Sequence, residues 1–243
     1  MCLRPLSCAE ALSVSWATLI QQRLRALPLF LIAACAFAAT GCLPYVAGTT
    51  AHPVDESEGP VSSTKVYAVP DGLEGIDEED QEEAAAYMGV DTEIRFGLDK
   101  QSDIGVVVPG FSGVVVNYKR RFIGSNSSRF AMAAMGGTGF INAGQHWHFE
   151  ATLVASGVEG ATVTPYGGLR AMQTLPLSES AVSDTPTAGG FFGMRIGNRQ
   201  LGISPEIGIY YDEPALSISN DDPILVIPSV TIHGRGFLDD LFP

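Results

Sequence analysis

From about Thr92 the chain alternates apolar and polar positions in short runs separated by turn residues, the period-two signature of half-buried β-strands. Ile94, Phe96 and Leu98 fall on one face, with Glu93, Arg95 and Gly97 on the other. Beyond the polar turn Asp99 to Ser102, Ile104, Val106 and Val108 alternate with Asp103, Gly105 and Val107, which predicts a hairpin. Ser112–Phe122 and Arg129–Phe140, joined by Gly124 to Ser128, predict a second. His146–Ser156 alternates most cleanly: Trp147, Phe149, Ala151 and Leu153 oppose His146, His148, Glu150 and Thr152. Ala161–Gln173, Gly189–Gly197, Leu201–Tyr211 and Ile224–Phe237 complete nine expected strands. Nine is odd, and an up-and-down barrel closes antiparallel only with an even number, so at least one strand is miscounted. Pro165, Pro205 and Pro228 cannot donate to a ladder and are expected at edges, bulges or strand starts.

Strands with one apolar and one polar or glycine-rich face suit two architectures. A soluble sandwich turns the apolar face into its core, whereas a membrane barrel turns it toward lipid and lines its lumen with the polar face. Aromatic residues near several strand ends, charged and small residues mixed on the other face, and the terminal aromatic Phe237 favour the barrel. The strand, polar turn, strand repeat, with segments such as Pro205 to Tyr211 and Pro228 to Ile232, resembles small outer-membrane β-barrel proteins over 92–237. The resemblance implies an antiparallel up-and-down β-barrel of roughly eight to ten strands, followed by a short tail at 238–243. The competing reading is a lipid-tethered soluble periplasmic β-sandwich or lipocalin-like domain that binds an apolar ligand.

The amino-terminal region carries a different pattern. Leu27 to Ala39 is an apolar run preceded by Arg23 and Arg25 and followed by Thr40 and Gly41, the layout of a signal peptide. It falls short of the ~20 apolar residues of a transmembrane helix. Ala39-Thr40-Gly41-Cys42 resembles the lipobox of bacterial lipoproteins, with alanine where leucine is usual. The resemblance implies cleavage before Cys42, acylation of that cysteine, and membrane attachment through its lipid. Leu43 in place of an aspartate after the cysteine implies the outer membrane. All four cysteines, at positions 2, 8, 35 and 42, lie in this region, which excludes a disulfide framework or a thiolate zinc site in the mature chain.

Between the two regions, 42–91 is expected to be the lipidated cysteine followed by an acidic flexible linker. From Leu43 to Glu93 thirteen acidic residues accompany the single base Lys65, too much like charge and too little apolar surface to offset ordering. With 27 acidic and 14 basic residues overall, the chain has a formal charge of -13, which excludes nucleic acid as a partner. The expected partner is the membrane, through the lipid anchor and the barrel.

Candidate chemistry is sparse. His146, His148 and Glu150 share one strand face, as a strand-borne metal site requires, but a closed site needs a fourth ligand that the sequence does not supply. They are weak metal candidates, and the expectation is no cofactor. Met135 to Gly139 lacks the lysine of a phosphate loop and reads as strand or turn glycines. Neither Ser156-Gly157 nor Ser204-Pro205 forms a hydrolase elbow. Lys119-Arg120-Arg121 reads as an interfacial anchor or a lumenal charge group. The sequence therefore points away from an enzyme, toward an outer-membrane lipoprotein with a structural or small-solute or ligand-binding role.

Overall fold

A computed structural model describes residues 43–69, 88–125, 128–177, 186–211 and 224–234. The expected signal peptide, Cys42, the acidic run within 70–87 and the 238–243 tail lie outside these residues.

Ten strands form a closed antiparallel up-and-down β-barrel. They are β1 Val61–Ala68, β2 Met88–Gly97, β3 Ser102–Pro109, β4 Val114–Ile123 and β5 Ala131–Ile141. The remaining five are β6 His146–Ser156, β7 Val163–Pro176, β8 Thr187–Gly197, β9 Leu201–Tyr211 and β10 Ile224–Gly234. Each strand pairs with its neighbour in sequence, and β1 closes the ring on β10 from Ser63 opposite His233 to Tyr67 opposite Ser229. An eleven-residue strand such as β6, at ~3.3 Å per residue and a tilt of ~40°, rises about 28 Å, enough to span the ~25 Å apolar band of an outer-membrane barrel.

The strand missing from the nine expected is β1, and it corrects the flexible-linker expectation. Val61–Ala68 is a full member of the sheet, and Leu43 to Val54 is buried inside the barrel. Composition misled because the acidic residues of this stretch cluster on either side of β1. The strand itself carries Lys65, whose ammonium lies 2.9 Å from the Glu93 carboxylate on β2.

Pro165, Pro205 and Pro228 lie within strand ranges, yet each falls where a ladder stops. The β6–β7 register ends at Ser156 opposite Tyr166, one residue short of Pro165. The β8–β9 register breaks between Gly193–Glu206 and Ile196–Ile203, the gap that contains Pro205. The β1–β10 register ends at Ser229, beside Pro228. A ring has no edges, so the missing donors are accommodated at gaps in the ladders.

The distribution of side chains is inside-out relative to a soluble barrel. Along β6 the pattern is strictly alternate, with His146, His148, Glu150 and Thr152 buried and Trp147, Phe149, Ala151 and Leu153 exposed. Leu201 is 77% exposed, Leu169 64% and Phe192 61%, whereas Lys119 is 1% and Asp103 0% exposed. Outward aromatics collect toward the two rims, with Phe140, Trp147 and Tyr211 near one and Phe96, Phe122 and Phe130 near the other. Trp147 stacks on Phe149 at 5.7 Å and 4°, and its indole N–H donates to Thr138 Oγ1.

Candidate functional site: the occupied lumen

The lumen holds two sets of groups, a charged lining on the strands and the segment Leu43 to Val54 that threads between them. Alternation places Lys65 (β1), Glu93 and Arg95 (β2), Asp103 (β3), Asn117 and Lys119 (β4), and Glu150 (β6) on the inner face. Burying an isolated charge is costly, so the lining is stable only if each charge is matched. Arg95 pairs with Glu93 and Asp103 and donates to Asn117 Oδ1 at 2.8 Å. Lys119 lies 3.3 Å from the other Asp103 oxygen. Glu150 takes Arg170 on one oxygen and Asn117 Nδ2, at 3.2 Å, on the other.

The threading segment is held along its length by this lining. Tyr67 and Tyr210 donate their hydroxyls to the carbonyls of Leu43 (2.8 Å) and Tyr45 (2.7 Å). Both oxygens of Glu206 accept backbone N–H groups, from Ala47 and Gly48 at 2.9 Å each. Lys119 donates to Thr49 Oγ1 at 3.0 Å and to the carbonyls of Thr50 and His52 at 3.3 Å. Ala51 N–H donates to Ser156 Oγ (3.1 Å), and Val54 N–H donates to Asp103 Oδ2 (2.7 Å). Arg199 donates to the Pro53 carbonyl at 2.7 Å. An irregular chain buried in protein must satisfy its backbone groups, and charged or hydroxyl-bearing side chains on five strands and one turn do so here. Apolar contacts add to this, since Ala47 and Ala51 pack with Ala131, Ala133, Val154 and Phe191.

At the turn after β6, burial acts to raise the Glu159 carboxyl, but Arg199 and Arg195 outweigh it and hold that group below the ordinary carboxylate value.

Gly48 fits the path for two reasons. Its φ of +58° disfavours a side chain, and an added Cβ would come within 2.3 Å of Thr231 Oγ1. Gly48→Val is therefore expected to cost on the order of 2 kcal/mol. A lowered urea midpoint for the refolded barrel, partly recovered by Thr231→Ala, is the check. Unchanged stability would mean the segment does not occupy this path.

The metal candidates reach one face as expected, but their surroundings do not suit a cation. Glu150 is engaged by Arg170 and Asn117, and His148 Nε2 stands 3.8 Å from Glu150 Oε2. His146 Nδ1 is 3.3 Å from Asn142 Nδ2. Among the described residues no group of three or more His, Cys, Asp or Glu side chains could hold a metal ion. His233, on β10, contacts Ser204 Oγ at 2.7 Å. Met135 to Gly139 lies within β5. Of the basic cluster, Lys119 and Arg121 point into the lumen, while Arg120 is exposed on the outer face near a rim.

Sequence reasoning missed the threading segment altogether. One signal was available: Lys65, a lone base in an acidic stretch, whose ammonium also reaches the Val46 carbonyl at 3.3 Å.

No family model and no curated protein matches this chain. A solved structure described as "Unveiling the Mechanism Behind the in-meso Crystallization of Membrane Proteins" is similar, with 6% identity and a TM-score of 0.32. The alignment covers 73% of this chain and 86% of that one.

Proposed function

We propose that this chain is an outer-membrane β-barrel lipoprotein, acylated on Cys42, with a structural or anchoring role in the envelope. The observation that carries the reading is the inversion of polarity across the wall, charged inside and apolar outside. A lipocalin-like soluble barrel needs the reverse, because its ligand cavity is apolar and its outer face meets water. Exposed apolar surface this continuous is a liability in water and a requirement in lipid.

The occupied lumen selects among barrel functions. Ion pairs and the Leu43–Val54 segment fill the interior, and the space among Gly48, Lys119, Arg195 and His233 amounts to about 20 Å³, which suits a water molecule and not a passing solute. The role is thus one of presenting or holding something at the membrane. Solute transport fits less well, and among the described residues no catalytic constellation supports an enzyme.

Heat-modifiable migration on a denaturing gel, with resistance to carbonate extraction of a variant in which residues 43–243 are exported behind a cleavable signal that leaves no acylated cysteine, tests the membrane reading. Extraction of that variant into the soluble fraction would reject it. Cys42→Ser is expected to abolish incorporation of a radioactive fatty acid and to leave an uncleaved precursor. Label retained on the variant would refute acylation at this position.

A further inference from the structure

The two ends of the barrel differ, and the threading segment runs from one to the other. At one rim the strands are joined by residues 98–101, 124–130, 157–162 and 198–200. At the opposite rim two connections are also short, 110–113 and 142–145, but the other three, 69–87, 177–186 and 212–223, are each longer than any at the first rim. Leu43 and Tyr45 are bonded to Tyr67 and Tyr210, which lie where β1 and β9 lead into two of those longer connections. His52 and Pro53 are bonded to Gly157 and Arg199, in the short turns. Twelve residues, 43 to 54, can extend to about 40 Å, ample for a wall of about 28 Å. The chain then turns outside the short-turn rim, where Glu58 lies 3.1 Å from Arg199, and starts β1 at Val61.

We infer from the position of Leu43 that the chain emerges from the barrel at the long-loop rim, so that an acyl group on the preceding Cys42 inserts into the membrane leaflet on that side. The inference rests on the proposed acylation for its lipid, but on the geometry alone for its direction. Outer-membrane barrels place short turns in the periplasm and longer loops outside. The leaflet is then the outer one, opposite the face on which β1 begins and β10 ends. The barrel serves as a sleeve that carries its own anchor through the membrane. Because the strands close around the segment, the acyl chains need not pass a finished lumen in which Lys119, Glu206 and Asp103 grip the backbone.

The direction is tested with an eight-residue epitope inserted between Cys42 and Leu43 in the full chain, compared with the same epitope placed after Asn220 or after Pro243. The Cys42 and Asn220 epitopes should bind antibody on intact cells as fully as on permeabilised ones, and the Pro243 epitope only after permeabilisation. A Cys42 epitope that is shielded on intact cells while the Asn220 epitope is exposed would overturn the inference. Fatty-acid labelling of the same variants separates the two claims. An exposed but unlabelled amino terminus rejects acylation and keeps the threading, whereas a labelled but shielded one rejects the threading. The otherwise unmodified chain carrying Ala51→Cys and Ser156→Cys guards against disruption by the epitope. Oxidation should give a reducible mobility shift in the heat-modifiable band, and its absence would overturn the threaded path.

Discussion

Asp103→Ala is expected to destabilise the barrel by about 3–5 kcal/mol, the typical cost of breaking a buried charge network by removing one partner. Asp103 is fully buried and meets three elements at once: Arg95, the Lys119 ammonium at 3.3 Å, and the Val54 N–H at 2.7 Å. Its loss strands Lys119, whose remaining partners are neutral oxygens of the threading segment. Arg95 is less affected, because Glu93 and Asn117 still hold it. Urea unfolding of the refolded protein, in a cycle with Lys119→Met, measures this. The double variant should be more stable than the sum of the single losses implies, because removing both charges leaves neither unpaired. Strict additivity would show that the pair does not interact.

Phe192→Arg distinguishes lipid from water outside the wall. Phe192 sits at the middle of β8, pairs with Ile207 on β9 and is 61% exposed. On a protein surrounded by water, a substitution at so exposed a site stays within about 0.5 kcal/mol. At the midplane of a bilayer the guanidinium costs about 2–4 kcal/mol. Refolding into lipid vesicles should show the larger loss, and Leu201→Arg, at the rim, should show much less because the charge reaches the interface. Equal, small effects at both positions would argue against a lipid-facing wall.

The legible part of the fold was whatever the period of two encodes. For β6 and β9, both the range and the inward face follow from the sequence, because large apolar residues alternate with polar ones or glycine over eleven residues. β1 was hidden because its inward face mixes Val61 and Tyr67 with Ser63 and Lys65, so hydrophobicity does not alternate even though geometry does. Its tyrosine lies across Gly89 on β2, where an added Cβ would meet the ring at 2.0 Å. That fit is made across the connection between β1 and β2, beyond the reach of any local period.

The threading segment was hidden for a related reason. Leu43 to Val54 has neither strand nor helix periodicity, because its neighbours are the whole inner wall and not one face. What holds it are carboxylates and cations on the polar face of the strands, among them Glu206, Asp103 and Lys119. Local composition predicts whether a segment can fold alone. It does not register that a segment can be ordered by a lumen built from the rest of the chain.

The central claim is that the outer face of the strands lies in lipid. Its most direct test is a spin label at Phe149→Cys, Phe192→Cys or Ile207→Cys, each in a background with Cys2, Cys8, Cys35 and Cys42 replaced by serine and refolded into bilayers. Relaxation by dissolved oxygen and by a water-soluble nickel chelate is then compared at each site. All three should be relaxed strongly by oxygen and weakly by nickel, because apolar lipid concentrates the first and excludes the second. Strong relaxation by nickel at the three positions would place the wall in water and contradict the account.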